Sequence, residues 1–320
     1  MRIASVAAAL LAALCTVPAL AQGYPNRPIR LIIGYSPAGA ADYIARIVGE
    51  AMGKELGQAV TVDNKPGAGS TLSSTLLSQA PADGYTLALA TGTLYGIDQH
   101  LYKVKYTPAN FTPITRFTIS PLILAVNKDS GVTTLPELIT KVKANPGKLN
   151  YSSSGIGGSP HIAALSFERA INGKMAHIPY KGGAPALQAV AAGDVQLSFG
   201  TAASVLPLGQ QGVVRMLGVT TTEPSEIAPG LATLSSVGLP GFDFNFWFGL
   251  FGPAGMPQEV SDKLFAVATR ALSDPQVRAK LLTTGNEAAA SRSPVEFHEW
   301  ATANGRAQLE RIVQAGVKVE

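Results

Sequence analysis

Short apolar runs alternate with stretches of helical period along most of the chain. Residues 29–34 form a mostly apolar run that reads as a buried strand. Ile44, Ile47, Val48, Ala51, Met52 and Leu56 then fall on one helical stripe, which Gly57 ends. Residues 59–63 read as a second strand, 64–69 as a turn, 72–78 as a helix, 81–84 as a turn and 85–90 as a third strand. This β-α-β-α-β order predicts a mostly parallel sheet with helices on both faces.

A second unit of similar size follows. Strands are expected at 122–127, 149–152, 178–180, 195–199 and 214–220, and helices at 135–144, 160–170 and 183–192. The Pro- and Gly-rich segment 224–241 lacks periodicity and reads as a long surface connection. A strand at 246–251 and helices at 257–272 and 294–315 complete the chain. The pattern predicts an α/β protein of two lobes: 22–123 as lobe 1, 124–243 as lobe 2, and 244–320 returning to lobe 1. Ligands of open α/β sheets bind beyond the carboxyl ends of the strands, so two such lobes facing each other predict an interlobe cleft.

The first residues change this picture only by removing themselves. Arg2, an apolar run from Ile3 to Leu14 and Ala19-Leu20-Ala21 match a secretory signal peptide, with cleavage expected after residue 21. Taking 21 residues from 320 leaves 299, without the single cysteine, Cys15. Disulfides and cysteine chemistry are then excluded, and a bacterial periplasm is the expected compartment. Charged residues make up only 14% of the chain, and the formal charge of +4 falls to +3 without Arg2. With no Lys/Arg run, there is no nucleic-acid footprint.

Two turns carry the candidate chemistry. The first, Tyr35-Ser36-Pro37-Ala38-Gly39-Ala40-Ala41-Asp42, joins a strand to a helix. Small residues there let a ligand approach unpaired backbone N–H groups, a geometry suited to an anion. Asp42 is open to two roles, helix N-cap or acceptor from a ligand donor. The second turn runs from Ser152 to His161 and is dense in hydroxyls and glycines: Ser153, Ser154, Gly155, Gly157 and Ser159, with His161 closing it. It matches neither a dinucleotide fingerprint nor a phosphate-binding P-loop. Thr91 and Thr93 after the third strand, Thr201 after the 195–199 strand, and Lys181 at the start of a helix are placed to edge the same cleft. Tyr35 and Tyr95 are candidates to stack on a ligand ring.

Support for catalysis is thin. None of His100, His161, His177 and His298 forms a metal-binding pair, and no nucleophile-elbow motif occurs, so no metal, cofactor or catalytic residue is assigned. A hydrolase using Ser153 or Ser154 with His161 stays open as the rival reading.

The chain resembles a known family along nearly its whole length after residue 21. The matching segments are Tyr24-Pro25, Pro37-Ala38-Gly39 with Asp42, Val62-Asp63-Asn64-Lys65-Pro66-Gly67-Ala68-Gly69, Ala80-Pro81-Ala82-Asp83-Gly84-Tyr85, Ser154-Gly155 to His161, Pro179-Tyr180-Lys181-Gly182 and Trp247-Phe248-Gly249-Leu250. They resemble the periplasmic solute receptors of tripartite tricarboxylate transporters, often called Bug proteins. The resemblance implies a type II periplasmic binding protein closing by a hinge on a small organic carboxylate. The loops at 36–42 and 153–161 would embrace that carboxylate. It also implies delivery to membrane permease subunits, with a receptor for a membrane sensor kinase as an alternative, and a monomer is expected. Ala40 and Gln196 depart from the family pattern, so the ligand is not inherited. Di- and tricarboxylates, amino acids, nicotinate-like rings and aromatic acids such as terephthalate all stay open.

Overall fold

A computed structural model describes residues 23–314 and 316, apart from 36, 38, 39 and 181 and the side chain of Ala68. The expected signal peptide, Ser36, Ala38, Gly39 and Lys181 lie outside the described residues.

Strand β1 (Ile29–Ile33) shows why the first run is nearly continuous in apolar residues. Ile29, Leu31 and Ile33 face one helical layer and Ile32 faces the other, and all four are fully buried. On one side lies helix α1 (Ala40–Leu56), whose Ile44, Val48 and Met52 form the expected stripe. Burying each such side chain contributes about 1.5–3 kcal/mol. Gly57, at φ 67°, ends the helix in the left-handed region. Strands β2 (Val60–Asn64) and β3 (Thr86–Ala90) flank β1 in parallel, and helix α2 (Thr71–Ser78) packs on the opposite face through Leu77.

After the short helix α3 (Ile97–Leu101), the chain forms one 17-residue strand, β4 (Phe111–Asn127). Only 122–127 is legible from the sequence, because Pro113 and Pro121 read as strand breakers. In the structure Pro121 pairs with Asn245 of β9 (Asn245–Pro253), and the next residue, Leu122, pairs with Thr201 of β7 (Leu197–Thr201). The partner changes within a single step. Everything before it belongs to the first lobe's sheet and everything after it to the second's.

The second lobe contains helix α4 (Leu135–Ala144), β5 (Asn150–Ser153), α5 (Ser159–Ile171), β6 (Ala176–Pro179), α6 (Gly183–Ala192), β7, α7 (Ala202–Gln210) and β8 (Val214–Val219). A capping box starts α4: Thr134 accepts from Glu137 N–H, and Glu137 Oε2 accepts from Thr134 N–H at 3.2 Å. The strand order is β2-β1-β3-β9-β4-β7-β5-β6, with β8 and the two-residue β10 (Glu287–Ala288) pairing β4 off this path.

Two expectations need correction. The 224–241 segment is not a surface connection: Leu234 and Leu239 are buried in the second lobe's core beside Phe242 and Phe244, and Thr233 bridges Val219. Their spacing follows turns, not a helix or strand, so no period marks them. The C-terminal helix α10 (Pro294–Gln314), which follows α8 (Gln258–Ser273) and α9 (Pro275–Thr283), does not cover the first lobe alone. Its Phe297 and Ala301 pack beside Trp247 and Phe251, whereas Ile312 joins the second lobe's core and Gln314 accepts from Arg169 at 2.7 Å.

Register decides where a site can form. The carboxyl end of β3 runs beside β9 toward Asn245, which lies opposite Pro121. The carboxyl end of β7 arrives at Leu122, and β5 runs parallel to β7. The loop-bearing ends of both sheets therefore converge on the Pro121–Leu122 step.

Candidate ligand site between the lobes

On the first lobe, helix α1 begins at Ala40, so Asp42 sits inside its first turn and is not the N-cap. The side chain is buried, and its carboxylate accepts from Arg46 Nε and Nη2 at 3.0 and 2.9 Å and from Asn64 Nδ2 at 3.0 Å. Asn64 Nδ2 also donates to the Tyr35 carbonyl at 3.0 Å. The end of β2 is thus clipped to both ends of the turn.

Tyr35 packs edge-on against Phe248, with centroids 5.8 Å apart, and its hydroxyl lies beside the side chains of Thr91 and Ser70. Burial raises its pKa above the usual tyrosine value. Tyr95 lies among Trp247, Phe251 and His298. Both rings thus have aromatic partners within the protein. Thr91 Oγ1 is 3.2 Å from Thr93 Oγ1. Beyond them, buried Asp98 accepts from the Tyr106 hydroxyl at 2.7 Å through Oδ2, and Oδ1 has no partner among the described residues. Burial pushes the Asp98 carboxyl up to about 6 against the opposing effect of the Tyr106 and Thr93 hydroxyls.

On the second lobe, the loop after β5 is held from within. Ser153 is fully buried; its Oγ accepts from Gly155 N–H at 3.1 Å and lies 2.6 Å from His177 Nε2. The Ser153–His161 couple open at the sequence level does not form. His161 Nδ1 instead accepts from Gly157 N–H at 3.0 Å. Its ring stacks on His177, with centroids 3.9 Å apart and 9° between planes. Burial, helped by the charge of His177, holds His161 down at about 4, and burial also lowers His177. Both imidazoles are neutral at pH 7. A serine enclosed in this way offers no open path for nucleophilic attack.

Those bonds sort the loop's donors. The N–H groups of Gly155 and Gly157 are already used. Those of Ser154, Ile156, Ser159 and His161 have no protein acceptor among the described residues. Ser159 is the first residue of α5, and the preceding Gly158 has no side chain to cap the helix. Gly155 and Gly157 take φ of 135° and 75°, which suit glycine alone or at small cost, and the turn needs them for its shape. Thr201 lies at the exposed end of β7, its Oγ1 3.0 Å from Ser204 Oγ.

The two lobes meet here. A Cβ on Gly157 would lie 3.3 Å from Leu101 Cδ1 of α3, and Ile97 of α3 is buried in the second lobe's core. The residue that sequence reasoning missed is His177. As a lone histidine in a four-residue strand it carries no periodic signal, and only the parallel register of β5 and β6, which sets Tyr151 opposite His177, brings it under the loop. Among the described residues no cluster of His, Cys, Asp or Glu is placed to hold a metal ion, and no helix is long and apolar enough to cross a membrane.

The model of the tripartite tricarboxylate transporter family receptor matches residues 44–313. A UPF0065 protein from the tcbD-tcbE intergenic region of Pseudomonas sp. (strain P51) is 34% identical over 260 residues, 80% of this chain and 77% of that protein. Among solved structures, R. palustris Rpa4515 with adipate superposes with a TM-score of 0.79 at 27% identity, covering 92% of this chain and all of that one. MatC from Rhodopseudomonas palustris with bound malate gives 0.74 at 29% identity, covering 90% and 100%. The two-lobed α/β architecture is shared with these solved structures, and the chain belongs to the tripartite tricarboxylate transporter receptor family.

Proposed function

We propose that this receptor captures a small organic carboxylate between its lobes and hands it to the membrane permease of a tripartite transporter. One observation carries the reading: strand register brings both loop-bearing sheet ends to the Pro121–Leu122 step, and the second loop arrives there with N–H groups unpaired among the described residues, at an uncapped helix start. Such donors satisfy a carboxylate without a buried counter-charge, each charge-assisted bond contributing about 1.5–3 kcal/mol. The ligand residues of the proposal are Ser154, Ser159 and His161 from the second loop, and the 35–42 turn with Thr91 and Thr93 from the first lobe. Gly155 and Gly157 shape the loop, and Asp42 holds the first turn. A ligand touching both lobes stabilises the shut form, because only that form offers all of its contacts. The adipate and malate held by relatives favour a carboxylate and leave its remaining groups to experiment.

The test is a thermal-shift screen across aliphatic, amino and aromatic carboxylates, followed by calorimetry on each acid that raises the melting temperature. At least one acid is expected to stabilise the protein, with affinity lost in Ser154→Ala. No stabilisation by any acid would overturn the proposal. Co-purification with the permease, dependent on ligand, tests delivery separately.

A further inference from the structure

His177 lies outside both candidate ligand loops, yet the second loop leans on it in two ways. Its Nε2 is 2.6 Å from Ser153 Oγ, the atom that accepts the Gly155 N–H and donates to the Gly155 carbonyl at 3.0 Å, which leaves Nε2–H as the donor to Oγ. Its ring lies against both Tyr151, at 4.9 Å and 20°, and His161, at 3.9 Å and 9°, which are themselves 6.3 Å apart. His161 in turn accepts the Gly157 N–H. The two glycines that bend the loop are therefore both fastened to the same stacked imidazoles, one through Ser153 and one directly. We propose that His177 is the positioning residue of the 153–161 loop, fixing the Ser153 hydroxyl and backing the His161 ring so that the loop holds its binding form. This inference rests on the role proposed above for that loop.

The bond geometry gives the hold a proton dependence. A neutral imidazole accepts through only one nitrogen, so accepting at Nδ1 puts the His161 proton on Nε2. That Nε2–H has no protein partner among the described residues, which leaves it as a donor for ligand. Protonating His161 would aim two donors, Nδ1–H and Gly157 N–H, at each other, and a second charge on His177 would lie face to face with the first. The other titratable neighbours do not offset this. Tyr151 is kept neutral by burial, while Glu168, further along α5, accepts from Met175 N–H and has Lys174 beside it. The loop therefore keeps its form at neutral pH and loosens as the pair takes up protons in acid.

Hydrogen exchange by NMR on the ligand-free protein tests the positioning directly. His177→Phe keeps a stacking ring but loses the nitrogen, and it is expected to speed exchange of the Gly155 amide about tenfold or more. His177→Gln places a polar group at the same reach and is expected to restore protection. Nitrogen shifts should place the His161 proton on Nε2 at pH 7, and His161 should titrate at higher pH in His177→Gln, where the neighbouring charge is gone. Calorimetry with malate and with adipate should show weaker binding in His177→Phe and recovery in His177→Gln. Unchanged Gly155 exchange in His177→Phe, failure of Gln to restore it, or a proton on His161 Nδ1 would overturn the proposal. If neither acid binds the unaltered protein, the carboxylate reading is in question, while the exchange and nitrogen-shift results still decide the role of His177.

Discussion

The Tyr106 hydroxyl donates to Asp98 Oδ2 at 2.7 Å with both side chains buried in the first lobe, and the other carboxyl oxygen has no partner among the described residues. Hydrogen bonding from neighbouring hydroxyls does not replace the hydration of a carboxylate, so burial raises Asp98 to about 6. The folded-state value lies above the unfolded one. The stability linked to this group is therefore complete below about pH 4 and is lost as the pH rises through 6, a difference of about 3 kcal/mol. Asp98→Asn keeps an acceptor for Tyr106 and cannot ionise. It should raise the melting temperature at pH 7–8 and change it little at pH 4. Equal effects at both pH values in thermal denaturation would refute this assignment.

Asp42 carries a different expectation from the one its place in the sequence suggests. Arg46 and Asn64 occupy its carboxylate, and Asn64 also holds the Tyr35 carbonyl. Asp42→Ala should cost about 1–3 kcal/mol of stability through the lost charged bonds and weaken all carboxylates alike. Asn64→Ala should do much the same, although it lies on β2. Because the two share one network, their effects should be non-additive by about 0.5 kcal/mol or more in a double-mutant cycle. A changed ranking of ligands in Asp42→Ala alone would instead place Asp42 against the ligand.

What could be read from the sequence follows a physical line. Strands such as 29–33 and the helix stripe from Ile44 to Leu56 were legible because burial imposes a period on them. The two candidate turns were legible because small residues between a strand and a helix have few other uses. The first half of β4 was hidden by its prolines, and the buried course of 224–241 was hidden because turns have no period. His177 and Asn64 were hidden for another reason. Each acts on a loop distant in sequence, by 24 residues to Ser153 and 29 to Tyr35, and only strand pairing brings them there. Periodicity reveals which face is buried, whereas a supporting hydrogen bond depends on register between strands.

Gly157 tests how closely the lobes meet at the second loop. Its φ of 75° is open to alanine at a cost of about 1–2 kcal/mol. The added Cβ would also lie 3.3 Å from Leu101 Cδ1 on the opposite lobe. Gly157→Ala should therefore lower both stability and ligand affinity. Adding Leu101→Ala should recover part of the affinity and none of the backbone strain. If calorimetry shows no recovery in the double variant, contact with Leu101 is not what the methyl group disturbs.

Gly305 joins the C-terminal helix to the first lobe's side of the site. A Cβ there would fall on Cβ of Tyr95 and lie 3.2 Å from the Gly92 carbonyl. Those residues belong to the 3-10 turn Gly92–Tyr95 that carries Thr93. The preceding residue, Asn304, accepts through Oδ1 from both Trp247 Nε1, at 2.9 Å, and Gln308 Nε2, at 2.7 Å, fixing the helix on β9. The helix cannot tilt away without breaking those bonds, so a methyl group at 305 must push the turn. Overpacking of this kind costs about 1–3 kcal/mol. Gly305→Ala should lower the melting temperature and weaken ligand binding, whereas Thr302→Ala, whose hydroxyl donates to the His298 carbonyl within the same helix, should leave binding unchanged. A Gly305→Ala protein that loses stability but binds with unaltered affinity would show that the 92–95 turn is not part of the ligand wall.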